Sequence, residues 1–313
     1  HHFMKGYSHS SAPDLMLAAA SQRTRTLRLG HAVVPLPYHH PLQVAERIAT
    51  LDVLSQGRVE FGCGRGFDPR EYAAFGIDMA HSRELVEESL AILRASFTGA
   101  PIRFHGKHFH IEDIEVVPKV AQQPHPPLWM AAVSPESFTL AARLGVGVLV
   151  GPFKPWFMVR EDIARYRAAW AEYDHGTPAR VAMTIGVMCL EDGARARELA
   201  KQNLTWFYRE LLQRTAPVLE KLHASYEYYR RVGSFRALLP ATINLKVLEA
   251  LGMAVAGDPD HCRQKLATYR DAGVDHLLCA IGAGGCASAD TRTVMQTLHR
   301  HAMPAFAQSV CAS

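Results

Sequence analysis

The stretch PLWMAAVSPESFTLAARLGVGVLVG, residues 127–151, contains a complete strand–helix–strand unit. An apolar run opens it and suits a buried strand. Residues 134–145 then predict a helix, with Ser134 at the N-cap and Gly145 as the stop signal. A second apolar run at 146–151 predicts the next strand. Two strands joined by a helix in this way are expected to lie parallel in one sheet.

The same alternation runs along most of the chain. Apolar runs predict further strands at 27–36, 58–66, 181–190 and 274–282. Segments of helical period predict further helices at 41–57, 82–97, 157–173, 192–213, 258–273 and 290–303. Repeated units of this kind require a mostly parallel α/β sheet covered by helices.

The even spacing favours a closed (β/α)8 TIM barrel over an open doubly wound sheet. The glycine-rich GCGRGF (62–67) supports dinucleotide binding only weakly, because it follows a later strand and does not open directly into a helix. No polar linker divides the 313 residues, so we expect a single domain over 1–313. Residues 214–256 break the pattern at glycines and a proline, and they predict an insertion or a mobile segment.

The composition is that of an ordinary globular protein, with 48% hydrophobic and 20% charged residues. The formal charge of +4 includes no dense Lys/Arg run, so we expect no nucleic-acid partner. No apolar stretch reaches the ~18–20 residues that a membrane span requires. The six cysteines are widely spaced without a C-x-x-C, which favours reduced thiols and a cytoplasmic location.

Histidine is abundant, with 17 residues, and the tightest group is His105, His108 and His110 in RFHGKHFHIED (103–113). The alternation around Gly106 predicts a β-hairpin, with a flap as the functional alternative. No cysteine or carboxylate pattern joins these histidines at zinc spacing. We therefore expect solvated or locally hydrogen-bonded histidines and no metal site.

Three features follow successive strands, at the edge where a barrel carries its active site. Arg65 lies among glycines that let a ligand approach the backbone, and its guanidinium can bind phosphate with two nitrogens. Arg83 lies at the start of the next helix, and Ser134 lies at a helix N-terminus, which favours an anion. Together they are what a mononucleotide phosphate site needs. The alternative stays open: Arg83 pairs with Glu87, Arg65 lies on the surface and Ser134 is only a cap.

Ordered motifs in the chain resemble those of the bacterial luciferase-like flavin monooxygenases. The motifs are HHF (1–3), RLGHAVVPLPYHHPLQVAE (28–46), LDVLSQGRVEFGCGRG (51–66), AAVSPESFTLAARLG (131–145) and GDPDHCRQKLATYRDAGVDHLLC (257–279). The similarity covers nearly the whole chain apart from about 214–256. It implies a TIM barrel with insertions. Because HHF normally follows the second strand of that barrel, we expect the first strands to precede residue 1.

The resemblance implies roles for individual residues. His1 matches the catalytic histidine near the reactive carbon of the flavin. Ala32 and Val33 match the pair that a non-prolyl cis peptide joins under the flavin ring. The other positions that the resemblance places at the flavin or its phosphate are Gly64, Arg65, Arg83, Val133, Ser134 and Ser137.

The chain also departs from the true luciferases. Gly64 stands where the luciferase α-chain has a reactive cysteine, and Val133 stands where the family has a glutamate before the phosphate serine. The mobile luciferase loop is replaced by the dissimilar segment 214–256. These differences argue against light emission on a long-chain aldehyde and leave flavin oxygenation open.

The resemblance implies a two-component monooxygenase. Reduced FMN from a separate NAD(P)H flavin reductase would react with O2 to give a C4a-peroxyflavin, which transfers one oxygen atom to a small organic substrate. His1 would act as general acid or base. One alternative within the same fold is hydride transfer by a deazaflavin, and another is a non-catalytic partner subunit. Dimerisation is usual in the family, so we expect a homodimer.

Overall fold

The computed structural model describes residues 2–4, 8, 10–225 and 243–307. The predicted catalytic residue His1 lies outside the described residues, and so does the central part of the predicted insertion. The contacts between residues group the chain into two compact units, His1–Ala131 and Ala132–Ser313.

The first unit contains a parallel sheet built on β3 (Val59–Gly64). Three strands pair with β3 in parallel: β1 (Leu29–Gly30), β2 (Val34–Pro35) and β6 (Leu128–Ala132). Strand β3 is buried at almost every position, as expected for a parallel strand that is covered on both faces.

The strand predicted over 27–36 is divided in the structure. Leu29 lies opposite Val59 and Val34 lies opposite Cys63, so the divided strand has one more residue than the stretch of β3 that it faces. The surplus is accommodated at residues 31–33, where the Ala32–Val33 peptide bond is cis, as the resemblance implied. The apolar run therefore pairs with β3 as two short strands, because an extra residue interrupts the ladder.

The helices of the first unit form where caps and period predict them. Helix α2 starts with a proline at its first position and ends at Gln56 and Gly57, whose φ angles are 57° and 76°. The helices are α1 (Pro13–Arg23), α2 (Pro41–Ser55), α3 (Pro69–Ala74) and α4 (Ser82–Phe97), with 3-10 turns at Leu36–Tyr38 and Met79–His81. The predicted hairpin is also present, as antiparallel strands β4 (Ile102–His105) and β5 (His110–Ile114).

The second unit is organised around β8 (Val181–Cys189). Three strands pair with β8 in parallel: β7 (Gly147–Val150), β9 (Ala254–Gly257) and β10 (His276–Ala280). The sequence does not predict β9, because its four residues AVAG are too short to show a period. The helices of this unit are α5 (Pro135–Arg143), α6 (Trp156–Trp170), α7 (Gly193–Ser225), α8 (Leu245–Ala250), α9 (Pro259–Asp271), α10 (Ser288–Thr297) and α11 (Pro304–Ala307), with a π-helical turn at Leu298–Ala302.

In each unit, parallel strands alternate with helices along the chain, which confirms the predicted α/β class. Parallel strands place their carboxyl ends at one edge of a sheet, and the loops that follow them there form the site. Within the described residues, no helix has both the length and the apolar character that crossing a bilayer would require.

Candidate active site

Of the predicted site residues in the first unit, Gly64 and Arg65 lie at the carboxyl end of β3, and Ala32 and Val33 directly precede β2. Pro35 pairs with Gly64, so the backbone that leads into β2 runs beside the end of β3. A Cβ atom added to Gly64 would lie 2.8 Å from Val33 Cγ2 and 3.3 Å from Ala131 Cβ. Because this position has no room for a side chain, the backbone of Gly64 and the Ala32–Val33 peptide form one closely packed surface.

Arg65 is held in a fixed position immediately after that surface. Its Nε donates a hydrogen bond to Ser82 Oγ over 3.1 Å, and its carbonyl oxygen accepts one from the hydroxyl of Tyr72. Ser82 is the first residue of α4, and His81 holds the cap position without a capping side-chain hydrogen bond. The buried hydroxyl of Ser82 positions the Arg65 guanidinium instead.

Arg83 follows Ser82 directly and is half-buried. Its Nε is buried and has no hydrogen-bond partner within the described part of the chain. A buried donor without a partner is costly unless a ligand or water satisfies it. Together with the half-buried position of Arg65, this favours the anion-site interpretation over two ordinary surface arginines.

In the second unit, Ser134 occupies the predicted N-cap of α5, but its side chain forms no capping hydrogen bond. The turn is stabilised by Ser137, whose Oγ accepts from Val133 N over 2.9 Å and donates to Ser134 O over 2.6 Å. The two serines therefore have different roles. Ser137 shapes the turn, and the hydroxyl of Ser134 remains available beside the N-terminus of the helix, where anions are favoured.

A buried polar cluster next to Arg65 was not identified from the sequence. Glu71 on α3 is fully buried, and its Oε1 accepts a hydrogen bond from the backbone N of His2 over 2.5 Å. The ring of Tyr38 contacts that of Tyr72 edge-on, with centroids 4.9 Å apart. A glutamate in a short helix has no sequence signal that marks it as buried, so only the fold reveals this cluster.

Both phenols of this cluster stay protonated near neutral pH. Burial, with Tyr72 and Glu71 nearby, raises the pKa of Tyr38 far above its ordinary value. Burial also raises the pKa of Tyr72 to about 12. The two hydroxyls therefore act as neutral hydrogen-bonding groups beside the Glu71 carboxyl, and neither is a source of a phenolate.

His39 lies at the end of the 3-10 turn that follows β2. Burial and, next in size, the Arg47 guanidinium lower the pKa of His39 to about 4. The nearby Asp14 carboxylate opposes this lowering only in part. His39 is therefore a neutral imidazole at pH 7.

Comparison with known families finds relatives over most of the chain. The luciferase-like monooxygenase family matches residues 1–276. The 4-hydroxyprotoasukamycin monooxygenase of Streptomyces nodosus subsp. asukaensis is 34% identical over 65% of this chain and 56% of its own length. The limonene 1,2-monooxygenase of Rhodococcus erythropolis is 36% identical over 47% of this chain and 38% of its own length. The chain thus spans about half the length of these relatives or less.

Solved structures show the same fold. The monooxygenase RslO1 from Streptomyces bottropensis has a TM-score of 0.80 and 27% identity, covering 98% of this chain and 87% of that protein. The oxygenating constituent of 3,6-diketocamphane monooxygenase from Pseudomonas putida, in complex with FMN, has a TM-score of 0.73 and 21% identity, covering 93% and 83%. The coenzyme F420 dependent tetrahydromethanopterin reductase from Methanopyrus kandleri has a TM-score of 0.68 and 21% identity, covering 94% and 87%. These structures confirm the predicted α/β barrel class.

Proposed function

The chain belongs to the luciferase-like monooxygenase family, and on this premise we propose that it uses reduced FMN and O2 to oxygenate a small organic substrate. The two monooxygenases with 34% and 36% identity support this class of reaction. The observation that carries the cofactor assignment is the arginine pair at the carboxyl end of β3: Arg65 fixed on Ser82, and Arg83 with a buried donor that lacks a partner.

The residues present fit a flavin phosphate. The unsatisfied Nε of Arg83 and the guanidinium of Arg65 provide charge-assisted donors, which bind phosphate oxygens strongly. In the second unit, our proposal gives Ser134 the part of an anion-binding hydroxyl at the N-terminus of α5, while Ser137 and the backbone of Val133 keep the turn in shape.

The flavin ring is proposed to lie against the surface formed by Ala32, Val33 and Gly64. Gly64 is needed for this surface, because Val33 and Ala131 fill the space that a side chain at position 64 would occupy. Bound reduced FMN supplies the electrons for the activation of O2, and the protein contributes position, electrostatics and exclusion of water. His1 is proposed as the general acid or base, since imidazole titrates near neutral pH.

The cellular setting is proposed by analogy with the same resemblance. A separate NAD(P)H flavin reductase would deliver the reduced FMN. The five cysteines among the described residues are all free thiols, which is consistent with a reducing cytoplasm.

The test is an isotope experiment with the protein, an added flavin reductase, FMN and 18O2, screened on cyclic ketones and terpenes. We expect one 18O atom in the product, and loss of turnover when the reductase or FMN is omitted. His1→Ala should abolish turnover and leave FMN binding intact.

Titrations of FMN and of F420 under the same conditions separate the alternatives. Binding of F420 alone, with substrate reduction that needs no O2, would replace our proposal with the deazaflavin reaction that other members of this fold carry out. Binding of neither flavin would reject a catalytic role and leave the non-catalytic partner subunit.

A further inference from the structure

A second cluster lies in the first unit and plays no part in the proposed function. Glu84 is in the first turn of α4, His81 directly precedes that helix, and His108 is in the loop between β4 and β5. The Nε2 atom of His108 lies 2.8 Å from Glu84 Oε2, and the Nδ1 atom of His81 lies 3.4 Å from the same oxygen. One side-chain nitrogen or oxygen from each residue falls within 4.8 Å of the others. We propose that these three side chains bind one divalent transition-metal ion of the Zn2+ class.

The distances suit such an ion. With metal–ligand bonds of about 2.1 Å, the ligand atoms of a tetrahedral site lie about 3.4 Å apart. The separations around Glu84 are 2.8 and 3.4 Å, and the three atoms span no more than 4.8 Å. Side-chain shifts of about 1 Å therefore suffice to bring the three atoms to coordinating distance. Two imidazoles and one carboxylate match the ligand preference of late first-row metals, and a water molecule would complete the coordination.

The loop that carries His108 is already fixed to α4. The carboxylate of Glu88 accepts hydrogen bonds from the backbone N of Lys107 (2.8 Å), His108 (3.0 Å) and Phe109 (3.1 Å). The side chain of His108 is only 17% exposed. Because the three ligands are held close together before an ion arrives, binding requires little further ordering of the chain.

Lys107 competes with a metal ion at this site. Its Nζ donates to both carboxylate oxygens of Glu84, over 3.0 and 2.9 Å. An ammonium group cannot coordinate a metal, so an ion must displace it from Glu84. Removal of the Lys107 charge should therefore preserve or tighten metal binding. If the cluster were held together only by its ion pairs, removal of that charge would instead disrupt it.

The site joins two segments that the sequence analysis considered separately. His108 belongs to the hairpin group for which no carboxylate at zinc spacing was found. The carboxylate comes from Glu84 in the first turn of α4, 24 residues before His108, and the second imidazole comes from His81 just before that helix. An ion would connect the hairpin to the turn that contains Ser82 and Arg83.

The test uses the full chain, freed of metal with a chelator, and titrates Zn2+ by calorimetry and Co2+ by visible absorption. We expect one ion per chain, cobalt bands typical of a four-coordinate nitrogen and oxygen site, and a Tm rise of about 4 °C at a hundredfold excess over Kd. His81→Ala and His108→Ala should each weaken binding at least tenfold. Lys107→Met should bind at least as tightly as the wild-type chain.

His110→Ala is the matched control, because His110 lies in the same hairpin outside the cluster. The affinity of this variant for Zn2+ and Co2+ should equal that of the wild-type chain. Each variant is first compared with the wild-type chain without metal by circular dichroism and Tm, so that misfolding is recognised. The proposal is overturned if the wild-type chain binds neither ion, or if the His81 and His108 variants bind as tightly as the His110 control. It is also overturned if Lys107→Met abolishes binding.

Discussion

Arg83 has a buried Nε without a partner, and this residue makes the phosphate assignment testable. Arg83→Met removes the charged donor while keeping a long side chain. We expect FMN to bind about 10–100-fold more weakly, since a hydrogen bond to a charged group contributes about 1.5–3 kcal/mol. Arg83→Lys should recover only part of the lost FMN affinity, because an ammonium group cannot reproduce the planar guanidinium.

Riboflavin separates a phosphate contact from a general loss of structure. It lacks the phosphate, so Arg83→Met should leave its affinity unchanged, as measured by fluorescence quenching. Arg103→Met serves as the control for charge, because Arg103 is exposed and lies 3.5 Å from Asp113. Equal weakening of FMN and riboflavin would show that Arg83 does not contact the phosphate.

His39 makes stability depend on pH. Its pKa is lowered from 6.5 to about 4 in the folded chain, so the unfolded chain takes up the proton first as the pH falls. The contribution of neutral His39 to the free energy of unfolding is therefore complete above pH 6.5. It is lost as the pH falls from 6.5 to about 4. Because His39 is only half-buried, solvent screening reduces this effect, and we expect about 1 kcal/mol between pH 7 and pH 5.

His39→Gln removes the titrating group, and urea denaturation at pH 7 and pH 5 measures the result. We expect the loss of unfolding free energy on acidification to be smaller in the variant by about 1 kcal/mol. His299→Gln is a suitable control, because His299 is exposed. If His39→Gln and the wild-type chain lose the same free energy, His39 is not buried as a neutral imidazole.

At the scale of the element, a buried ion pair anchors helix α6. Lys154, in the loop after β7, donates to Asp162 on α6, and both side chains are at most 7% exposed. Burial lowers the pKa of Lys154, and its Nζ lies 5.6 Å from the centre of the Phe138 ring on α5. Among the described residues, Lys154→Met leaves Asp162 with the exposed Arg165 as its charged partner. We expect the free energy of unfolding to fall by about 3 kcal/mol.

The double variant Lys154→Met, Asp162→Leu should regain part of this loss, because it removes the uncompensated charge as well. Lys201→Met breaks an exposed pair with Glu198, and we expect it to cost under about 1 kcal/mol. Urea denaturation monitored by circular dichroism compares the three. Equal effects of the Lys154 and Lys201 variants would contradict the structural role of the buried pair.

The elements show what a sequence can and cannot predict. Helix α2 is predicted to within two residues, because its period, its proline and its terminal glycine are local signals. The division of 27–36 is not predictable, since it depends on a one-residue surplus against β3. Arg65 and Arg83 lie in local motifs, so the sequence can suggest them as site residues, whereas the contact between Glu71 and His2 joins positions 69 residues apart.

At the scale of the whole molecule, the fold does not select the cofactor. An FMN complex and an F420 dependent reductase resemble the chain with TM-scores of 0.73 and 0.68, so both cofactors occur on this backbone. The choice between FMN and F420 must therefore depend on the side chains near the cofactor. For this reason our proposal of FMN is based on the side chains of Arg65 and Arg83.

The last prediction concerns assembly. Helix α1 exposes Leu15 and Met16 at 72% and 65%, and α2, which contacts α1 through a hydrogen bond from Gln22 to Leu54 O, exposes Val53 and Leu54. Exposed apolar side chains on adjacent helices are typical of a protein interface. We therefore expect a homodimer, with twice the mass of one chain in light scattering after gel filtration.

Met16→Glu should weaken the dimer strongly, because it places a charge inside an apolar contact. Met295→Glu is the matched control, since Met295 is 55% exposed on α10 of the second unit, and the mass should not change. A wild-type chain that elutes with the mass of a single chain at micromolar concentration would contradict the dimer. A dimer that Met16→Glu leaves intact would show that α1 lies outside the interface.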